Sequence, residues 1–271
     1  MVNNKERETN GLRGMIPGQR RITAIIFDLD DTLIDWSGQE IHGAAIGHRH
    51  LRQVYAYLAA QIQPVPAEED FLDCFGRVLV ALWTQAKQTW AGVSLAEVMA
   101  QTLHECGLDM AYVDMDELLR IYNWQPVPGV RPYPDAIPTL QTLRQQGYKL
   151  GLITNAMQPM WMRDVELETY GLLPYLDARI TSGDAGYMKP HPAIYQRILD
   201  MLEVEPAQAI FVGDRPENDI AGANTAGLTS VLIRPSHLNY ELNGSQPDYT
   251  ITALNELLPI LARLEGVNSE Q

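Results

Sequence analysis

Asp28, Asp30 and Asp31 stand within four positions where the apolar run Ile25-Ile26-Phe27 ends, followed by Thr32 and Leu33. Carboxylates crowded in this way repel one another, and a divalent metal or a strong local hydrogen-bond field must offset that repulsion. The spacing D-x-D-x-T, from Asp28 through Asp30 to Thr32, also suits a division of labour. One carboxylate can attack a metal-bound phosphoryl group as nucleophile, while a second, across the leaving oxygen, supplies and recovers the proton. Asp31 and Asp35 fit a plainer role as solvated or turn-stabilising acids, because the chemistry does not call for four carboxylates.

Three further segments could complete such a site. The run Ile210-Phe211-Val212 passes through Gly213 into Asp214, with Asp219 five residues on. Asp214 at a strand end beside Asp28 gives two carboxylates for an octahedral Mg²⁺, and Asp219 could hold one of its waters. Leu150 to Ile153 ends in Thr154-Asn155, a hydroxyl and nearby N–H donors that suit phosphate oxygens, although Thr-Asn after a strand is also ordinary turn chemistry. Lys189, followed by Pro190 and Pro192 at a helix start, could neutralise both a nucleophilic carboxylate and phosphoryl charge.

The elements that must position these residues are legible as alternating periods. Short β-branched runs at Ile22–Phe27, Leu150–Ile153, Ala209–Val212 and Ser230–Ile233 predict central parallel strands. Amphipathic stretches at Asp135–Gln146, Gln158–Tyr170, Ala193–Leu202 and Asn218–Ala226 predict the helices between them. The alternation implies an α/β fold with a doubly wound parallel sheet, whose ligands sit beyond the carboxyl ends of the strands. From residue 37 to 126 the pattern changes to helical periods alone, so an all-helical domain is inserted between core segments 21–36 and 127–271. Its first helix carries a stripe from Ile41 through His48, Leu51 and Leu58 to Ile62; a later one starts at Ser94, with Glu97 three residues on as a capping box. Residues 1–20 read as a loose tail, and Tyr249–Ile251 and Ala253–Leu264 as a possible last strand and closing helix.

Taken in order, Asp28-x-Asp30-x-Thr32, Thr154, Lys189 and Gly213-Asp214 with Asp219 resemble the four motifs of the haloacid dehalogenase (HAD) superfamily over residues 22 to about 235. The resemblance implies a Rossmann-like core with a helical cap of the C1 type, closing over the site to exclude water. It implies that Asp28 forms an aspartyl-phosphate and Asp30 is the general acid/base. Asp28, Asp214 and the main-chain carbonyl of Asp30 would bind Mg²⁺, and Thr154 and Lys189 would hold the phosphoryl group. Members that cleave carbon–halogen bonds lack the second acid, so Asp30 argues for phosphate-ester hydrolysis. Many phosphatases of the superfamily carry glycine where this chain has Asp31. Sugar-phosphate mutases share the core and remain a rival reading, as does a non-catalytic module that binds phosphate or a partner.

Composition narrows the partners. The chain of 271 residues has 20 Lys and Arg against 34 Asp and Glu, a net charge of −14 that disfavours nucleic acid and anionic membrane surfaces. A small phosphorylated metabolite remains accessible through local positive groups. No long apolar stretch or signal-like start is present, and Cys74 and Cys106 lack a disulfide framework, so a cytoplasmic protein with reduced thiols is expected. The histidines lack the spacing of zinc ligands, and His48 reads as a satisfied residue at the cap interface. Trp36 reads as packing at the cap hinge, and Trp83, Trp90 and Trp124 as cap core. The insert holds eleven acids and five cations, Arg49, Arg52, Arg77, Lys87 and Arg120, any of which could offer a selective contact. Sequence leaves the oligomeric state open.

Overall fold

The computed structural model describes residues 22–61, 64–108 and 113–266, so the expected tail at 1–20 and the stripe residue Ile62 lie outside the described residues. Strand β1 (Ala24–Phe27) leads through the short β2 (Ile34–Asp35) into helices α1 (Ala44–Gln61), α2 (Glu68–Thr89), α3 (Leu95–Glu105) and α4 (Met115–Tyr122). The chain returns through β3 (Arg131–Pro132), antiparallel to β2, and then alternates through α5 (Ala136–Gln145), β4 (Lys149–Thr154), α6 (Met160–Thr169) and β5 (Ala178–Thr181). There follow α7 (Ser182–Ala185), α8 (Pro192–Leu202), β6 (Ala209–Gly213), α9 (Ala221–Ala226), β7 (Thr229–Ile233), β8 (Tyr249–Ile251) and α10 (Leu257–Leu264).

Six strands form one parallel sheet in the order β5-β4-β1-β6-β7-β8. β1 is central and its four residues are all fully buried, which is why the sequence there is apolar without alternation. Its side chains nonetheless divide by the two-residue period of a strand. Ile25 and Phe27 join the large core under α5, α6 and α10, whereas Ala24 and Ile26 join a second core under α8 and α9. The chain winds outward from β1 through β4 to β5, then crosses back to β6. This reversal opens a crevice at the carboxyl ends of β4, β1 and β6.

The insert is helical as expected, and α3 is capped by Ser94, whose Oγ accepts from Glu97 N at 3.1 Å. One detail of the first helix differs. His50, not His48, is the buried histidine of α1; its Nδ1 lies 3.0 Å from Tyr122 O and its ring stacks on Tyr122. Burial, then the neighbouring Arg49, pushes its pKa down to about 4, so it is neutral packing. The stripe itself holds, with Leu51 and Leu58 buried and His48 half-buried, and His50 joins it where Tyr122 of α4 meets the helix. β5 was not expected at all, since Arg179 interrupts its apolar run and turns out to pair with Asp164 of α6. The segment expected as one helix from Asn218 starts instead as a π-helical turn at Pro216–Ile220 before α9 begins.

The helical segment meets the core at its two chain crossings and at a third, non-covalent seam. At the crossings β2 pairs with β3, and Glu40 N donates to Pro128 O at 2.9 Å. At the seam Met188 N donates to Trp90 O at 2.9 Å, Leu95 N to Met157 O at 2.8 Å, and Ala91 bridges antiparallel to Tyr187. Gly92 makes this approach possible, because a Cβ there would sit 2.0 Å from Ser182 O. Among the described residues no helix is long and apolar enough to cross a membrane, and Cys74 and Cys106 are free thiols.

Candidate active site

β1 and β6 are paired with Phe27 opposite Val212, so the residues that follow each strand, Asp28 and then Gly213-Asp214, emerge at one edge. Asp28 N continues the pairing to Val212 O at 2.9 Å, which fixes the backbone just where the side chain turns into the crevice. Asp219 returns from the π-helical turn beneath them. Its carboxylate passes so close to the strand end that a Cβ on Gly213 would lie 2.4 Å from Asp219 Cγ, which accounts for glycine before Asp214. Asp219 also accepts from Arg215 N at 2.9 Å.

The result is a buried cluster in which Asp28, Asp214 and Asp219 each offer a carboxylate oxygen within 4.8 Å of the others. Lys189 is the cation among them, with Nζ 2.5 Å from Asp28 Oδ1 and 2.7 Å from Asp219 Oδ1. Three carboxylates against one ammonium leave an excess of negative charge, and among the described residues neither oxygen of Asp214 has a hydrogen-bond partner. Burial, with repulsion from Asp219, carries Asp28 up to about 7 despite Lys189; burial, then Asp219 and Asp28, carries Asp214 up to about 9. Lys189 is held above its ordinary value because Asp219 and Asp28 outweigh the cost of its burial. An orphaned, all-oxygen, buried donor set with surplus charge fits a hard divalent cation such as Mg²⁺.

These shifts have a sign that can be measured. Asp28 and Asp214 titrate higher in the folded chain than at the unfolded value of 3.8, so between that value and about 7 to 9 the native state binds more protons than the unfolded one. Without divalent cation, stability is therefore expected to fall as pH rises through that window. Mg²⁺ should reverse the trend, raising the melting temperature most at the alkaline end where protons no longer compete for the carboxylates. Melts in EDTA and in Mg²⁺ across the range check both slopes; flat, cation-independent profiles would contradict the assignment.

Asp30 has a different environment. Its carboxylate, a third exposed, accepts from Trp36 Nε1 at 2.9 Å, Thr154 Oγ1 at 3.1 Å and Arg163 NH2 at 3.2 and 3.3 Å, and its side chain is not a member of the cluster. Thr154 thus donates to Asp30 in this structure. Asn155 clasps the backbone of Lys189, with Nδ2 donating to Lys189 O at 3.0 Å and Oδ1 accepting from Lys189 N at 2.8 Å, so its side chain positions the lysine. Asp31 adopts φ +58° and accepts from Trp36 N and His237 Nε2 at 3.2 and 3.0 Å, in keeping with a turn-stabilising acid.

Sequence reasoning missed Arg163 altogether. It is almost fully buried, pairs with the fully buried Glu166 at 3.1 Å and lies 5.7 Å from the centre of the Trp124 ring. Burial alone would weaken its charge, but Glu166 and Asp30 hold it up. The i, i+3 pair of Arg163 and Glu166 on an otherwise apolar helix face was the available signal. The tryptophans pack as expected, Trp124 within the large core and Trp36, Trp83 and Trp90 against it, and three of them reach one cavity as well. Trp36, Trp83 and Trp124 line a cavity of about 490 Å³ beside Asp30 and Arg163. Trp83 and Lys87 line an adjoining cavity of about 430 Å³ that contains Asp28, Lys189 and Asp219.

The carboxylate cluster thus lies at the switch point of a doubly wound sheet, beside helices of the insert. The family model described as haloacid dehalogenase-like hydrolase matches residues 22–227, and the chain belongs to that family. Among relatives, pyrophosphatase PpaX of Bacillus mycoides is 28% identical over 91% of this chain and 100% of its own length. Glyceraldehyde 3-phosphate phosphatase of Methanopyrus kandleri is 35% identical, over 50% of this chain and 58% of that protein. Of solved structures, a HAD phosphatase from Thermococcus onnurineus is 28% identical with a TM-score of 0.57, covering 89% of this chain and 98% of its own. A 2-haloacid dehalogenase from Pseudomonas syringae pv. Tomato DC3000 is also 28% identical, with a TM-score of 0.59 over 89% and 99%. Similarity alone therefore does not separate phosphate from halide chemistry.

Proposed function

We propose that this protein is a Mg²⁺-dependent phosphomonoesterase that acts on a small phosphorylated metabolite through an aspartyl-phosphate. The observation that carries the reading is the conjunction of a cation-demanding carboxylate cluster around Asp28 with a separate carboxylate, Asp30, held outside that cluster. Cleavage of a carbon–halogen bond needs no proton donor, whereas an alkoxide leaving from phosphorus does. The relatives named as phosphatases support the same choice.

In this mechanism an Asp28 oxygen attacks phosphorus and the ester P–O bond breaks. Asp30, in its protonated form, gives its proton to the departing oxygen. Asp30 then takes a proton from water as that water attacks phosphorus, releasing inorganic phosphate and restoring Asp28. Lys189 offsets charge on the transferred group, and the carboxylates of Asp28, Asp214 and Asp219, with the Asp30 carbonyl, would hold or support Mg²⁺ directly or through water. Bound there, the ion would polarise a phosphoryl oxygen and relieve the surplus charge of the cluster.

The test is a phosphate-release assay on purified protein with p-nitrophenyl phosphate and a panel of alkyl phosphates, in Mg²⁺ and in EDTA. Turnover that requires Mg²⁺ is expected. Binding of phosphate compounds without turnover would instead support a non-catalytic module, and hydrolysis indifferent to EDTA would remove the metal from the mechanism.

A further inference from the structure

The cations of the helical segment are distributed unevenly with respect to the site. Arg49 donates to the carbonyls of Gln125 and Pro126, Arg52 pairs with Glu68 at 3.0 Å, Arg77 with Glu105 at 3.6 Å, and Arg120 with Glu117 at 3.1 Å. Four of the five are thus engaged within the segment or at its return to the core. Lys87 is exposed, has no ion pair among the described residues, and is the member of the five that lines the cavity containing Asp28 and Lys189. It follows Leu79 and Trp83 at intervals of four on α2, one row of the helix, and that row runs across both cavities.

The direction of the chemistry says what Lys87 would meet. In-line displacement by Asp28 puts the leaving oxygen on the far side of phosphorus from the nucleophile. Asp28 stands at the carboxyl end of the central strand, and α2 lines the same cavity through Trp83 and Lys87, within reach of the leaving portion of a substrate held there. Of the cations nearer the sheet, Lys189 contacts Asp28 and Asp219, and Arg215, which also lines both cavities, lies 4.0 Å from Asp214 at the cluster rather than on the α2 wall. Glu217 also lines the cavity and accepts from Asn243 Nδ2 at 2.8 Å. Against a chain of net charge −14, an uncommitted ammonium on that wall is a local attraction for a second negative group.

Resting on the phosphatase reading, we propose that Lys87 is the specificity residue of this enzyme, recognising a second anionic group, a carboxylate or a further phosphate, on the leaving portion of the substrate. The preferred substrates are accordingly small phosphoryl compounds with two anionic groups. Three plainer roles for Lys87 make different predictions. As a cation in the last turn of α2 it would favour the helix dipole and affect stability alone. As a partner for Glu217 on closure, or as a contact to the transferred phosphoryl group, it would affect every substrate alike.

Steady-state kinetics in Mg²⁺ on matched pairs, 2-phosphoglycolate and pyrophosphate each against ethyl phosphate, decide among these. Wild-type protein should favour at least one doubly charged compound, and which one distinguishes carboxylate from phosphate recognition. Lys87→Ala should raise KM for that compound about tenfold, the scale of a lost hydrogen bond to a charged group, with little change in kcat. Ethyl phosphate should be unaffected, and Lys87→Arg should restore most of the loss. Equal losses on substrates with one and with two anionic groups, no loss on either, or a wild-type enzyme without preference for the second anionic group would overturn the proposal. Wild-type protein that hydrolyses no phosphate compound would overturn the phosphatase reading beneath it.

Discussion

The Asp28→Asn protein is expected to lose turnover by about 10⁶-fold, the scale on which enzymes lose rate when a covalent nucleophile is removed. The amide is nearly isosteric, so the crevice keeps its shape, but it cannot form the phosphoryl ester at a useful rate. Folding should not account for the loss. Burial and the neighbouring carboxylates raise the pKa of Asp28 and Asp214, so neutralising Asp28 relieves repulsion, while Lys189 retains Asp219 at 2.7 Å. Without Mg²⁺ the variant should melt no lower than wild type at pH 8, and the two measurements together separate a lost nucleophile from a lost fold. Residual turnover within about tenfold of wild type would be incompatible with covalent catalysis by this residue.

Asp30→Asn should slow hydrolysis of alkyl phosphates by about 10² to 10⁴, the usual contribution of a positioned acid/base. The loss should be smaller in the first step for p-nitrophenyl phosphate, because p-nitrophenolate departs with little need of a proton. That dependence on leaving group is the signature of an acid, and a uniform loss would point to a positional role instead. The surroundings give Asp30 reason to stay in place while it exchanges protons. Trp36, Thr154 and Arg163 fix both carboxylate oxygens, and Glu166 continues to neutralise Arg163 when the charge on Asp30 is lost. Stopped assays that separate burst from steady-state release would show which of the two proton transfers limits each substrate.

The parts of this molecule that sequence exposed are those governed by local rules. β1, β4, β6 and β7 are mostly apolar runs because a central parallel strand is buried on both faces, and the acids that follow β1 and β6 interrupt that pattern conspicuously. Ser94 could be read as a cap because its partner is three residues away. What stayed hidden depends on contacts between distant segments. Arg163 meets Asp30 across 133 positions, and Trp124, buried in the core, reaches the cavity wall where Arg163 lies 5.7 Å from its ring. His50 is buried where Tyr122 of α4 meets its helix. The five cations of the insert were equivalent in sequence, and only the fold shows that four have partners and one faces the cavity.

The seam from Trp90 to Leu95 bears on how this protein can be recombined with its relatives. A helical segment attached only by its two chain crossings would be a detachable module, exchangeable by splicing at those crossings. Here a third joint is made by main-chain hydrogen bonds to Met157 and Met188, and its close approach at Ser182 excludes any side chain at Gly92. A transplanted segment with another residue at that position would be forced away from the sheet edge, carrying Trp83 and Lys87 out of register with Asp28. Segment exchange aimed at new substrates therefore has to move the seam and its receiving loops as one matched set, which makes the unit of inheritance here larger than the insert itself.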